Sequence, residues 1–353
     1  MTIVLSMFIY FATFLSSILI YRYSLACKKK TNKRVFLFIA VCIPCITAAL
    51  RTSGADLKTY FEYYDIIKEI NFKSGREPLW VIVNWLSPTK HWMLFFTSMI
   101  FLCFSMGSIE YFVKKSKSMA WSIVLLVFYS TFLNIMRQMI AVAIITYFFK
   151  YLFKKKYLAY FVGIAIAACF HRSSAIMAVT PVILFFAKRL RHYDVLIFIL
   201  AVLMPLLTPF IFKALELLNF YTKYVHNISF NFQPQFILCM LPPTFLYYIT
   251  GGRKKHSAIV NNLFYIYLVS FPIQTFGFMA QYVDRMTYNF YFTVCLFVPM
   301  IVDEIGDVAL RRKTALFMDS WFLIYYIGVF AVVGTATVYP YIDYNKRKLF
   351  YGR

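Results

Sequence analysis

The amino-acid sequence predicts an all-α, polytopic integral membrane protein with about twelve transmembrane helices of about 20 residues each. Three observations predict it. Of 353 residues, 61% are hydrophobic and only 14% charged, against roughly 25% charged in a soluble domain. The 40 Phe and 28 Tyr supply far more apolar surface than a disordered chain carries. The 37 Lys and Arg outnumber the 14 Asp and Glu and gather in short clusters between apolar runs, as cytoplasmic loops do. Those clusters lack the interleaved stacking and groove-reading residues that bind nucleic acid, so no nucleic-acid partner is expected.

The first span is predicted over Thr2 to Tyr21. No charged side chain precedes it, whereas Arg22, Lys28, Lys29, Lys30, Lys33 and Arg34 follow. The N-terminus is therefore expected outside and the segment is read as a retained span, unlike a signal peptide. A second span, Val35 to Leu50, returns outward. Residues 51–90 form a long polar outer segment. Beyond it, spans alternate with basic turns at Lys114/Lys115/Lys117, Lys154 to Lys156, Lys188/Arg189/Arg191, Arg253/Lys254/Lys255 and Arg311/Arg312/Lys313, all assigned to the inner side. A second outer segment, with Tyr221, Tyr224 and His226, is expected over residues 213–235. Parity carries Lys346-Arg347-Lys348 outside, against the charge bias. With no repeat, linker or low-complexity stretch, residues 1–353 are read as one transmembrane domain.

The seven cysteines lie in or beside apolar runs, so a disulfide framework is not expected. Cys42-Ile-Pro-Cys45 sits in a span without a surrounding βαβ pattern and is read as packing. The five histidines are far apart and none pairs with another at metal-ligand spacing.

The uncommon polar residues fall on one side. The predicted outer turns carry Arg51-Thr-Ser-Gly-Ala-Asp56, Asn134-Ile-Met-Arg137-Gln138, His171-Arg172-Ser173-Ser174 and Asp284-Arg285. An ionisable group costs about 2.5 to 3.5 kcal/mol at mid-span and less near the interface, so four such turns call for an outward-facing polar pocket. Three arginines from three turns suit an anion with several oxygens, since guanidinium stays charged and forms paired bonds to phosphate. A lipid pyrophosphate fits. Asn134, Arg137 and Gln138, at i, i+3 and i+4, are expected on one helical face.

Each residue also has a plainer reading. Asp56, three residues after Ser53, fits a helix cap as well as chemistry, and Glu77 before Pro78 fits a helix N-terminus. Arg51, Arg137 and Arg285 could snorkel to the interface, and His171 could be a packing histidine. Tyr60, Tyr63, Tyr64, Trp80, Trp85 and Trp92 fit an interfacial aromatic belt or a sugar-stacking surface.

At these residues the chain resembles the EpsG-like branch of the Wzy-type bacterial polysaccharide polymerases. The matching pieces are Arg51-x-x-Gly54-x-Asp56-x-x-x-Tyr60, Glu77-Pro78-Leu79-Trp80, Arg137-Gln138, His171-x-Ser173-Ser174-Ala175, Asp284-Arg285-Met286-x-Tyr288 and Pro340-Tyr341. Their order between apolar spans carries the likeness; Asn289 stands where the family often has a second aromatic.

The resemblance implies a glycosyltransferase in the bacterial inner membrane, working at its periplasmic face. It would join polyprenyl-pyrophosphate-linked oligosaccharide repeat units for O-antigen, capsule or exopolysaccharide. These lipids would be donor and acceptor, and the family leaves room for a chain-length regulator protein as partner. The expected catalytic base is His171, Asp56 or Glu77, taking the acceptor hydroxyl proton. Arg51, Arg137 and Arg285 would hold the pyrophosphate, with Gln138, Tyr60 and Asn134 lining the site. No cofactor and no metal are expected, because no acidic D-x-D ligand pair is present. A lipid-linked-glycan flippase or transporter, an O-antigen-type ligase and a membrane O-acyltransferase are the alternatives. Transporters place polar groups at mid-span or in broken helices, and an acyltransferase would gather its His and Arg on the cytoplasmic side.

Overall fold

The computed structural model describes residues 2–217, 230–231, 233–280, 283–334 and 337–342. Among them the chain is helical throughout, without a strand, as expected of a polytopic membrane protein whose backbone must satisfy itself in lipid. Eight helices are long and apolar enough to cross a bilayer: Ile3–Ala26, Lys30–Leu50, Lys90–Phe112, Met136–Phe153, Tyr193–Ala214, Ala258–Gly277, Val283–Glu304 and Val308–Val332. The difference from the expected twelve lies in broken or short helices. The apolar run after Ser116 is interrupted by a π-helical stretch, Val124–Phe128. Residues 172–189 divide into a 3₁₀ segment and a short α-helix. Two further apolar helices are short, Tyr157–Ala168 and Leu238–Ile249; at 12 residues each spans only about 18 Å of a core about 30 Å thick. Of the second outer segment, residues 218–229 lie outside the described residues, as does the Lys346-Arg347-Lys348 tail.

The helices form two compact units, residues 1–175 with 305–353, and residues 176–304. In the first unit, Thr2 caps α1 (Ile3–Ala26) by accepting from Leu5 N. α2 (Lys30–Leu50) packs antiparallel against it, with the Thr13 and Thr47 hydroxyls 2.8 Å apart. Pro44 inside α2 has no N–H, so the carbonyl four residues back, Ala40 O, loses its helical donor. Ser17 Oγ of α1 donates to it at 2.6 Å and in turn accepts from Trp121 Nε1 at 2.9 Å. A proline that would otherwise leave a polar atom bare in the core thus pins three helices together. Cys42 and Cys45, on the same helix, are free thiols.

The segment at 51–90 folds into α3 (Leu57–Ile70), a 3₁₀ turn (Asn71–Ser74) and α4 (Pro78–Leu86), after which Thr89 caps α5 (Lys90–Phe112). α6 (Lys117–Ile123), the π stretch and α7 (Tyr129–Asn134) lead into α8 (Met136–Phe153) and α9 (Tyr157–Ala168). Phe101 of α5 stacks on Phe132 of α7 with centroids 4.5 Å apart. A Cβ at Gly163 of α9 would overlap the Phe148 ring of α8, so the glycine permits that close approach. Asp307 caps the helix Val308–Tyr326 by accepting from Leu310 N at 2.6 Å.

The alternation of helix directions gives this unit two chemically different ends. One gathers the basic turns. There Glu110 accepts from Tyr21 (2.7 Å), Lys33 (3.0 Å) and Lys117 (2.9 Å), from α1, α2 and α6. The other end gathers residues 51–56, 74–79, 134–138, 169–174 and 337–342.

The second unit has a polar cluster where Ala258–Leu268 begins and Val294–Glu304 ends. His256 Nδ1 lies 2.7 Å from Glu304 and its Nε2 lies 2.8 Å from Thr250 Oγ1.

Candidate functional site

Arg51 follows the last residue of α2 and is fully buried. Its guanidinium donates to the Ser53 carbonyl, two residues on, and through Nη2 to Leu133 O at 2.6 Å. Burial pushes its pKa below the ordinary arginine value, and the two carbonyls compensate the buried charge. Gly54 has φ +148°, and a Cβ there would collide with Arg51 Nη1. The Arg-x-x-Gly spacing is therefore a folding unit in which the arginine closes over its own loop. It does not snorkel.

The Pro340-Tyr341 segment holds that loop from the far end of the sequence. Thr52 N donates to Tyr341 O at 3.1 Å, and Ser53 Oγ donates to Val338 O at 3.0 Å. Tyr341 N donates to Ser6 Oγ and its hydroxyl donates to Thr47 O. Tyr10 sits edge-on to both Tyr339 and Tyr341.

Asp56 directly precedes α3, and its backbone N–H donates to Asn134 Oδ1 at 3.1 Å. Asn134 therefore serves the neighbouring turn. The expected single helical face of Asn134, Arg137 and Gln138 does not form. Ile135, at φ −109° and ψ 56°, separates α7 from α8. Gln138 is buried while Arg137 is half-exposed.

Arg137 turns to Glu77. Its Nη1 donates to Glu77 Oε2 at 2.7 Å. Glu77 occupies the cap position of α4 with Pro78 as first helical residue, but its carboxylate makes no capping bond; it is committed to the ion pair instead. The guanidinium lies 5.8 Å from the Tyr63 ring and 6.0 Å from the Trp80 ring, and Tyr60 packs on Trp80 at 5.4 Å. The aromatic set thus divides. Tyr60, Tyr64 and Trp80 are buried, whereas Trp85 and Trp92 are exposed as a lipid-interface belt would be.

His171 lies in the turn after α9, where its N–H donates to Ala167 O and its carbonyl accepts from Ser174 N. This turn lies beside the Glu77 turn. Leu79 N donates to Cys169 O at 3.0 Å, and Arg172 Nη2 donates to Gly75 O at 3.4 Å. Three of the four polar turns, together with the Glu77 turn, are therefore linked in one unit.

The fourth turn, Asp284-Arg285, belongs to the second unit, in a 3₁₀ segment Val283–Thr287. A Cβ at Gly277 would collide with the Asp284 backbone, so glycine sets how closely this turn packs. A polar chain runs from it: Gln233 Nε2 donates to Asp284 at 3.5 Å, Gln274 Nε2 to Gln233 Oε1 and Thr287 Oγ1 to Gln274 Oε1, each at 3.2 Å. Gln233 and Gln274 escape a reading based on charged residues; Gln274 is an amide inside an apolar run, and Gln233 lies at the end of the second outer segment, before Pro234.

Among the described residues no three His, Cys, Asp or Glu side chains converge as metal ligands would. The donors gathered at the arginine end are guanidinium and hydroxyl groups, which suit oxyanions.

The sequence matches the EpsG family over residues 34–345, across both units. The chain belongs to the EpsG family. Membership points to a polysaccharide polymerase-type function in a multi-pass membrane protein of polysaccharide biosynthesis. No curated protein and no solved structure matches the chain.

Proposed function

We propose that this EpsG-family chain is a Wzy-type polymerase that joins polyprenyl-pyrophosphate-linked oligosaccharide repeat units at the outer face of the bacterial inner membrane, without a metal. The donor's reducing-end sugar passes to a hydroxyl at the non-reducing end of the acceptor unit. One C–O bond forms, the bond to pyrophosphate breaks, and the acceptor proton goes to a base on the protein. The observation that carries this reading, beyond family membership, is the Glu77–Arg137 pair on its aromatic floor of Tyr60, Tyr63 and Trp80.

Within that reading Arg137 contacts the leaving pyrophosphate and stabilises the charge that grows on it. Glu77, oriented by Arg137, takes the acceptor proton; His171, on the adjoining turn, and Asp56 are the other bases within this end of the unit. Arg51 is a positioning residue, because it is fully buried and its Nη1 and Nη2 donate to the Ser53 and Leu133 carbonyls. The outer orientation follows from charge bias, since the lysine clusters lie at the opposite end.

The test is a glycan ladder from purified protein in detergent, given its lipid-pyrophosphate repeat unit with EDTA present. Polymer bands are expected. Well-folded protein that leaves authentic substrate as single units would overturn the polymerase reading, and transfer of finished glycan to a different acceptor would favour a ligase.

A further inference from the structure

The turn that presents Glu77 and the His171 turn beside it each carry an arginine, Arg76 and Arg172, that the matching motif pieces leave out. Arg76 lays its guanidinium on the Tyr63 ring at 3.8 Å, on the face of a residue that Arg137 also approaches. Arg172 reaches across from the neighbouring turn to Gly75 O, and Gly75 adopts a left-handed conformation, φ 66°, that turns its carbonyl to meet it. Neither Arg76 nor Arg172 joins an ion pair among the described residues. Glu77, next to Arg76 in sequence, pairs with Arg137, and on α3 Asp65 pairs with Lys90 and Glu62 with Lys58. Arg76 and Arg172 thus lie on the turns beside the Glu77–Arg137 pair without an ion-pair partner among the described residues, in a setting near the membrane where uncompensated charge is disfavoured.

The same two turns hold three buried hydroxyls with no hydrogen-bond partner from the described protein, Ser74 Oγ, Ser173 Oγ and Ser174 Oγ, and the flanking helices add Trp80 Nε1 of α4 and Arg137 Nε of α8. Three such hydroxyls in two adjoining turns, with two further donors on the helices beside them, are a concentration of donors without acceptors. Ser74 and Ser173 flank the residues that Arg172 ties together, and Arg76 and Arg172 stand at the accessible edge. Surplus positive charge, hydroxyl donors and planar guanidiniums supported by an aromatic ring are the features that hold a phosphate group.

We propose that the Ser74–Glu77 and Arg172–Ser174 turns form a phosphate-binding seat, with Arg76 and Arg172 as its principal contacts, beside and additional to Arg137. This rests on the polymerase reading only for what bears the phosphate, a lipid-linked pyrophosphate; the seat itself follows from the two turns. In a transferase with two lipid-linked substrates, a second cationic position lets donor and acceptor headgroups be held at once.

The full chain in detergent, titrated with inorganic pyrophosphate by calorimetry, tests the seat. An Arg76→Gln/Arg172→Gln double variant is expected to bind about tenfold more weakly or worse, and Arg-to-Lys replacements to fall between, since lysine keeps charge but loses the paired geometry. A Lys28→Gln/Lys29→Gln variant, equal in charge removed but at the other end, is expected to bind as wild type does. Pyrophosphate affinity unchanged in a double variant with wild-type melting would overturn the proposal, as would equal weakening in the lysine control. If the double variant does not fold, Arg172→Gln, whose side chain is exposed, carries the same comparison. Displacement of pyrophosphate by the lipid-linked repeat unit identifies the lipid as bearer; binding that the lipid leaves untouched identifies a seat for free phosphate. A missing glycan ladder with pyrophosphate binding intact would sink the polymerase reading and leave the seat standing.

Discussion

The two ends of the first unit use charge in opposite ways. At the lysine-rich end a single carboxylate, Glu110, is surrounded by Tyr21, Lys33 and Lys117 from three other helices, all within 3.0 Å. The three donors are all committed to the Glu110 carboxylate, and the cluster works as a staple between α1, α2, α5 and α6. At the arginine end, Glu77 meets Arg137 alone while Arg76 and Arg172 stand by without carboxylates among the described residues. A cluster in which each cation meets the carboxylate stabilises a fold; one with unpaired cations and unpartnered donors is suited to a ligand.

The comparison breaks most sharply at Arg137. Arg137→Ala is expected to cut polymer formation about 100-fold or more, the usual cost of removing one donor to a developing oxyanion. Because the variant also leaves the buried Glu77 carboxylate without its partner, some loss of melting temperature is expected alongside, and chain growth is compared at matched folded fraction. Glycan chain growth over time against a thermal melt separates the two effects. Arg51→Ala is expected to act the other way round, through stability. It leaves Ser53 O and Leu133 O without their donor, a loss of about 2 kcal/mol or more, read as a lower melting temperature. Gly54→Ala should fall in the same class and be milder, about 1 to 2 kcal/mol for the strained backbone, with activity lost in proportion to folded protein. Smallest is Glu110→Gln. It keeps the shape and weakens three charge-assisted bonds, costing about 1 kcal/mol and leaving chain growth per folded molecule close to wild type.

Much of this was legible in the sequence, and the rest was hidden for physical reasons. That arginines and a histidine belong to turns at one end follows from helix alternation, which a hydropathy pattern carries. Which arginine faces a ligand does not follow. Arg51 is consumed by a carbonyl 82 residues away, and Glu77 finds its partner 60 residues on. Spacing within one helix gave a false face for Asn134, Arg137 and Gln138, because Ile135 breaks the helix between them. Hydropathy also does not show where an apolar run is broken, as by the π stretch at Val124–Phe128 and the 3₁₀ segment at Arg172–Val179, which divide runs whose composition is continuous. Glu110 could have been noticed as a carboxylate ending an apolar run between lysine clusters.

The most direct measurement places Arg137→Ala and Glu110→Gln side by side in the glycan-ladder assay, with lipid-pyrophosphate repeat units, EDTA, and protein matched for folded fraction. The expected result is single units from Arg137→Ala and a full ladder from Glu110→Gln. A full ladder from Arg137→Ala, or its collapse in well-folded Glu110→Gln, would contradict the division of the unit into a reacting end and a stapled end.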